Sequence, residues 1–155
     1  MKKILTLILL VVAATMAARS QDYDIRMAGQ GESGKYYVQV TAVLDKNQNK
    51  TALEWLQRLA ADGVMFRGVA SAKGVASQSA LIQDHTAKAR KSEWFDAFYR
   101  DGLYKNYVNL ESESVVVTKL PKKKFEVSGR LVVDKEQLIK LLQDAGIIQG
   151  FNNLW

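Results

Sequence analysis

Gly29-Gln30-Gly31-Glu32-Ser33-Gly34-Lys35 is the first stretch of this sequence whose residue types suggest chemistry. It satisfies G-x-G-x-x-G and also G-x-x-x-x-G-K, two patterns of loops that cradle phosphate with backbone N–H groups. Both loops must lead into a helix. Here residues 36–44 read as a strand, rich in aromatic and β-branched side chains. A P-loop also needs Ser or Thr after its lysine to hold magnesium, and Tyr36 stands there. The glycines are therefore expected to form a flexible entry into the first long strand. No cofactor is expected.

Other constellations are equally thin. His85 is the only histidine; its neighbour Asp84 cannot face it on a helix, and no G-x-S-x-G elbow supplies a nucleophile. One histidine and no cysteine cannot make a zinc site, which takes three or four nitrogen or sulfur ligands. Glu111 and Glu113 alternate, so on a strand they would share a face as paired acids do in glycoside hydrolysis. In a polar turn they only keep an edge soluble, and that is the expected reading. Asp45, Asn47 and Asn49 match the first, third and fifth places of a calcium loop, but Lys50 replaces its glycine and Leu56 its closing glutamate. No metal site and no catalytic residue is expected.

What remains is a set of candidate binding residues. Lys122, Lys123 and Lys124 cluster on a turn beside the only proline. They suit a solvated hairpin tip that discourages edge pairing, and alternatively a contact for an anionic envelope polymer. Trp94, Phe95, Phe98, Tyr99, Tyr104 and Tyr107 concentrate within fourteen residues. Helical spacing places the first three in the core, leaving Tyr99, Tyr104 and Tyr107 as candidates for a binding surface. The tail Gly-Phe-Asn-Asn-Leu-Trp follows a helix, so it is no closing barrel strand. Phe151 and Trp155 are expected to dock on the domain or on a partner.

The elements that must position these residues follow from periodicity and punctuation. Residues 23–27 suggest a short edge strand, 36–44 a strand, 45–49 a turn. A helix is expected from about residue 51, with Thr51 and Glu54 spaced as a capping box and Leu53, Leu56, Leu59 and Ala60 inward. Gly63 is expected to end it in a left-handed conformation, with residues 64–70 forming the next strand. A loop leads to a helix over about 84–100, stopped by Gly102. Strands are then expected at 104–110, 115–119 and 125–133. A last helix starts at Asp134, with Leu138, Leu141, Leu142 and Ala145 inward and Gly146 closing it. The order predicts an α+β fold: a single mixed sheet of about five strands with two to three helices mainly on one face, a two-layer sandwich.

The chain has 155 residues. Lys2 and Lys3, the apolar run 4–12 and the small residues that follow have the layout of a secretory signal peptide over 1–20, with cleavage between Ala17 and Ser20. The run is shorter than the roughly 20 apolar residues of a transmembrane helix. Processing leaves 19 basic against 16 acidic residues, a net charge of +3. That is too mild to argue for nucleic acid. With no cysteine, disulfides, thiolate chemistry and a lipid on an N-terminal cysteine are all excluded. The expectation is an exported protein, periplasmic or secreted and not lipid-anchored, whose residues 21–155 form one domain.

The stretches "GQGESGKYYVQV", "ADGVMFRGVAS", "WFDAFYRDG", "YVNL" and "FEVSGRLVVDKEQLIKLLQDAGIIQGFNNLW" together cover most of the mature chain. In this order the chain resembles a family of small exported proteins of the Gram-negative envelope. "FEVSGRLVVDKEQL" is also loosely similar to the N-terminal domain of flagellar assembly protein T. The resemblance implies export and a small α+β domain, and it carries over no catalytic residue. Together with the residues themselves it makes a non-enzymatic binding or assembly module, with another envelope protein as partner, the leading expectation. A small exported ligand carrier or a hydrolase using carboxylates is the alternative.

Overall fold

A computed structural model describes residues 22–149. The expected signal peptide over 1–20 and the tail residues Phe151 and Trp155 lie outside the described residues.

Five strands form one sheet: β1 (Tyr23–Gly29), β2 (Lys35–Asp45), β3 (Val108–Leu110), β4 (Val116–Leu120) and β5 (Lys124–Asp134). β5 is central. β2 pairs along all of it, from Lys35 opposite Asp134 to Asp45 opposite Lys124. On its other side β3 takes residues 131–133 and β4 takes 124–128. Ser114 closes the gap between them: its Oγ accepts from the Arg130 N–H at 2.7 Å and donates to the Glu111 carbonyl at 2.6 Å. All these ladders are antiparallel where a mixed sheet is expected, and among the described residues a parallel sense survives only in an isolated bridge between Arg26 and Ala70. The α+β architecture is the one the order of elements predicts.

The helices are α1 (Ala52–Asp62), α2 (Ala87–Arg90), α3 (Ser92–Arg100) and α4 (Lys135–Asp144). None of the described helices is long and apolar enough to cross a membrane. Strand period two decides which sheet face they cover. Val38, Val40, Ala42 and Leu44 on β2 register with Leu131, Gly129, Val127 and Phe125 on β5, and all are buried. Their alternates, among them Gln39, Val43, Glu126 and Arg130, are exposed or half-buried. α1 supplies Ala52, Leu56, Leu59, Ala60 and Ala61 to that core. Leu53, expected inward, is 47% exposed. At α4, the Asp134 carboxylate accepts from the Gln137 N–H at 3.2 Å, and Leu138 and Leu142 are buried, as the sequence predicts.

Four local expectations give way to tertiary packing. Residues 64–70 are no strand. Gly63 keeps right-handed angles (φ −62), and the chain continues as a wide π turn, Gly63–Arg67, closed by Gly68 N–H to the Gly63 carbonyl at 2.8 Å. The apolar run fits either a buried strand or a buried turn, and only packing arbitrates: Val64 and Met65 are fully buried. The left-handed glycine is Gly68 instead (φ +82), where an added Cβ would stand 2.5 Å from the Gln78 carbonyl. Residues 104–107 belong to a 3₁₀ turn, Leu103–Asn106, and its flank, leaving β3 only three residues. The helix expected over 84–100 breaks at Lys91 into α2 and α3. Thr51 makes no capping bond; its hydroxyl donates to the Gln48 carbonyl at 3.3 Å within a 3₁₀ turn.

Gly29, Gly31 and Gly34 lie in and beside the β1–β2 hairpin connection, with strand on both sides. No helix opens there, so the phosphate-loop patterns lack the geometry they require.

Candidate functional site

The end of α1 is the place where chemistry gathers. Trp55, Arg58 and Asp62 succeed one another at helical spacings of three and four, which puts them on one face. α1 is held close to β1 at this point: a Cβ on Gly63 would stand 2.9 Å from Ile25 Cδ1. That approach brings Tyr23, the first residue of β1, against Asp62. The π turn swings Arg67 back over the same strand, and α2 and α3 close the other wall with Lys88, Asp96 and Tyr99. The result is a cleft of about 500 Å³.

Asp62 is its centre, with a side chain 23% exposed. Its Oδ2 accepts from Tyr23 Oη at 2.6 Å; its Oδ1 accepts a longer bond from Tyr99 Oη at 3.4 Å and faces Lys88 Nζ at 3.5 Å. Burial, followed by the Asp62 charge, pushes both phenols far above their ordinary value of 10.0. Ionising either one would place a second anion beside the carboxylate. Both tyrosines are thus fixed as donors, and the lone pairs they occupy on Asp62 are not free to accept a substrate proton.

Each cation of the cleft rests on an aromatic ring. The Arg58 guanidinium lies 5.2 Å from the Trp55 centroid and 4.6 Å from that of Tyr99. Arg67 stacks on Tyr23 at 4.0 Å and donates to the Tyr23 carbonyl at 2.8 Å. Lys88 sits 4.8 Å from the Phe66 ring. Cation–π contacts of this kind contribute about 0.5–2 kcal/mol and hold flexible side chains in one place. Behind them Phe66, Phe95, Trp94 and Phe98 form a continuous ring stack with centroid separations of 5.0–5.1 Å. That stack gives the cleft a rigid wall.

Of the candidate binding residues that lie within the described residues, Tyr99 alone reaches the cleft, beside Phe95 from the expected core set. Tyr104 is 5% exposed, so it is no surface ring. It folds back on Phe98 and Tyr99 because the 3₁₀ turn after Gly102 reverses the chain. Tyr107 is half-buried against the core, and its carbonyl accepts from the Asp134 N–H at 2.8 Å. Lys122 and Lys123 are exposed on the β4–β5 connection and Lys124 is exposed at the start of β5, none of them lining the cleft. Lys122 and Lys123 both adopt left-handed angles (φ 63 and 58).

His85 is exposed, and Asp84 turns to Thr86 and Arg90. The hydrogen bonds from Thr86 hold its carboxyl below the usual value. Glu111 pairs with Arg130 at 3.1 Å. Among the described residues no three acidic or histidine side chains stand together as metal ligands.

The residues missed from sequence are Tyr23, Trp55, Arg58, Asp62, Arg67 and Lys88. The Trp55–Arg58–Asp62 stripe was visible as a helical face. Tyr23 and Arg67, which lie 39 and 5 positions from Asp62, join it only through the docking of β1 and the π turn. Comparison with protein-family models, curated proteins and solved structures finds no match to this chain.

Proposed function

We propose that the protein is an exported, non-enzymatic binding module of the cell envelope, periplasmic or secreted, and that the cleft around Asp62 is its ligand site. One observation carries the reading: three cations seated on aromatic rings and two phenols bonded to Asp62 surround a single cleft of about 500 Å³. That volume lies in the usual range for small-molecule sites, roughly 300–1,000 Å³. Pre-positioned side chains lower the ordering cost of binding. Asp62 accepts from both phenols, which suits a structural anchor better than a general base.

Of the two expectations drawn from sequence, the cleft favours a ligand carrier over an assembly module. The test is a fragment screen read by NMR on the purified protein. Hits are expected to shift the side-chain resonances of Tyr23, Trp55 and Tyr99. A screen whose hits all map elsewhere removes the cleft from the proposal. Export is checked by cell fractionation with N-terminal sequencing; retention in the cytoplasm with Met1 intact removes that part.

A further inference from the structure

We infer that the cleft takes a small acidic sugar: a polyhydroxylated ring carrying a carboxylate or phosphate whose oxygens dock on Arg58. The inference rests on the reading of the cleft as a ligand site and adds the chemical class.

Arg58 is the first reason. A guanidinium is a planar fork of five N–H donors that matches carboxylate and phosphate oxygens in bidentate fashion. Here the fork lies beside the Trp55 and Tyr99 rings. Among the described residues no carboxylate pairs with it and no oxygen accepts from it. A cation-stacked fork whose donor edges meet no acceptor among the described residues is suited to oxyanion recognition.

Charge is the second. The lining carries Arg58, Arg67 and Lys88 against Asp62 and Asp96, an excess of one positive charge. Asp62 accepts from Tyr23 and Tyr99 and faces Lys88, which leaves Arg58 and Arg67 against Asp96, the same excess of one positive charge, to meet a ligand.

The other lining groups specify the body of the ligand. Asp96 is acceptor-only and makes no ion pair among the described residues, and Ser92 can both donate and accept. Acceptors of this type suit hydroxyl donors, and an aromatic wall suits the C–H faces of a sugar ring. A fully ionised inorganic anion has no hydroxyl to offer the Asp96 carboxylate.

The test titrates purified protein with galacturonate, glucose 6-phosphate and neutral galactose, read on the Trp55 indole N–H and the Arg58 Nε–H by NMR. At least one of the two acids is expected to shift both signals at concentrations where galactose shifts neither. Galacturonate alone identifies a sugar carboxylate as the ligand type; glucose 6-phosphate alone identifies a sugar phosphate. Arg58→Gln is expected to weaken binding about 10-fold or more, since hydrogen bonds to charged groups contribute about 1.5–3 kcal/mol. Arg58→Lys, which keeps the charge and loses the fork, is expected to fall between.

Both substitutions are at an exposed position, so an unchanged melting temperature confirms that the fold is intact. Galactose binding as well as the acids, or affinity unaltered in Arg58→Gln, overturns the inference while leaving a ligand site in place. Silence of both acids also overturns it, and the fragment screen then decides separately whether the cleft binds anything.

Discussion

β1 and β4 lie on opposite sides of one sheet, and they carry positive charge in opposite ways. The outer edge of β1 is covered: the Met27 N–H donates to the Ala70 carbonyl at 2.9 Å, and the Ala70 N–H donates to the Ile25 carbonyl at 3.2 Å. Beside its first residue, Arg58, Arg67 and Lys88 rest on rings and share a cleft with Asp62. The outer edge of β4 has no strand partner among the described residues. Val116 and Val117 are 58% and 54% exposed there, and Lys119, Lys122, Lys123 and Lys124 make no ion pair among the described residues.

Lysines along an open edge oppose strand-to-strand aggregation, because pairing would bring like charges together. The same charge serves solubility at β4 and, as proposed, recognition beside β1. What separates the two is whether surrounding rings and donors hold the cation still.

Core truncation tests the contrast most severely. Phe98 is 1% exposed and backs the cleft wall, so Phe98→Ala is expected to cost about 3–5 kcal/mol in urea unfolding. A loss below about 1 kcal/mol would mean that the ring stack is not the support it is taken to be.

High pH comes next. Tyr23 and Tyr99 have folded pKa values raised above the unfolded 10.0. Above pH 10 the unfolded chain releases protons that the folded chain retains, so stability falls as pH rises. Their contribution is fully present below pH 10 and declines by up to about 1.4 kcal/mol per pH unit for each tyrosine above it. Unfolding curves from pH 8 to 11 measure the slope, and Tyr23→Phe is expected to flatten it. An identical slope in that variant would dissociate Tyr23 from Asp62.

Asp62→Ala strands two phenols and should cost about 1–3 kcal/mol. Thermal unfolding at pH 7 checks it, and a neutral result would make Asp62 incidental to the cleft.

At the β4 side the expected effects are smaller, and one has the opposite sign. Lys123 holds a left-handed φ of 58 that glycine adopts without strain. Lys123→Gly is therefore expected to stabilise by about 1 kcal/mol, read as a higher melting temperature. Destabilisation instead would show that the lysine side chain contributes to the turn. Val117→Ala should change stability by less than about 0.5 kcal/mol. A larger loss would reveal that this edge is covered in solution, and the contrast between the two edges would fail.

Local pattern sufficed at β5 and at the start of α4, though not at Thr51, whose hydroxyl turns to the Gln48 carbonyl instead of capping α1. The alternation in 125–133 predicts β5 and its buried face, since side-chain direction in a strand reverses at each residue. Asp134 predicts the start of α4, because a cap is a contact across three residues. The same reasoning misplaced residues 64–70 and 104–107. Apolar residues there satisfy a strand and a tight turn equally well, and burial against distant elements made the choice.

Composition, the α+β class and the strand that follows the glycine loop where a phosphate loop needs a helix were therefore accessible from the sequence. The cleft was not. Its defining contacts join Tyr23 to Asp62 across 39 positions, Tyr99 to Asp62 across 37 and Arg67 to Tyr23 across 44. No periodicity spans such separations. Only packing α1 onto β1 and closing α3 over both could decide that one aspartate, two tyrosines and three cations meet in one place.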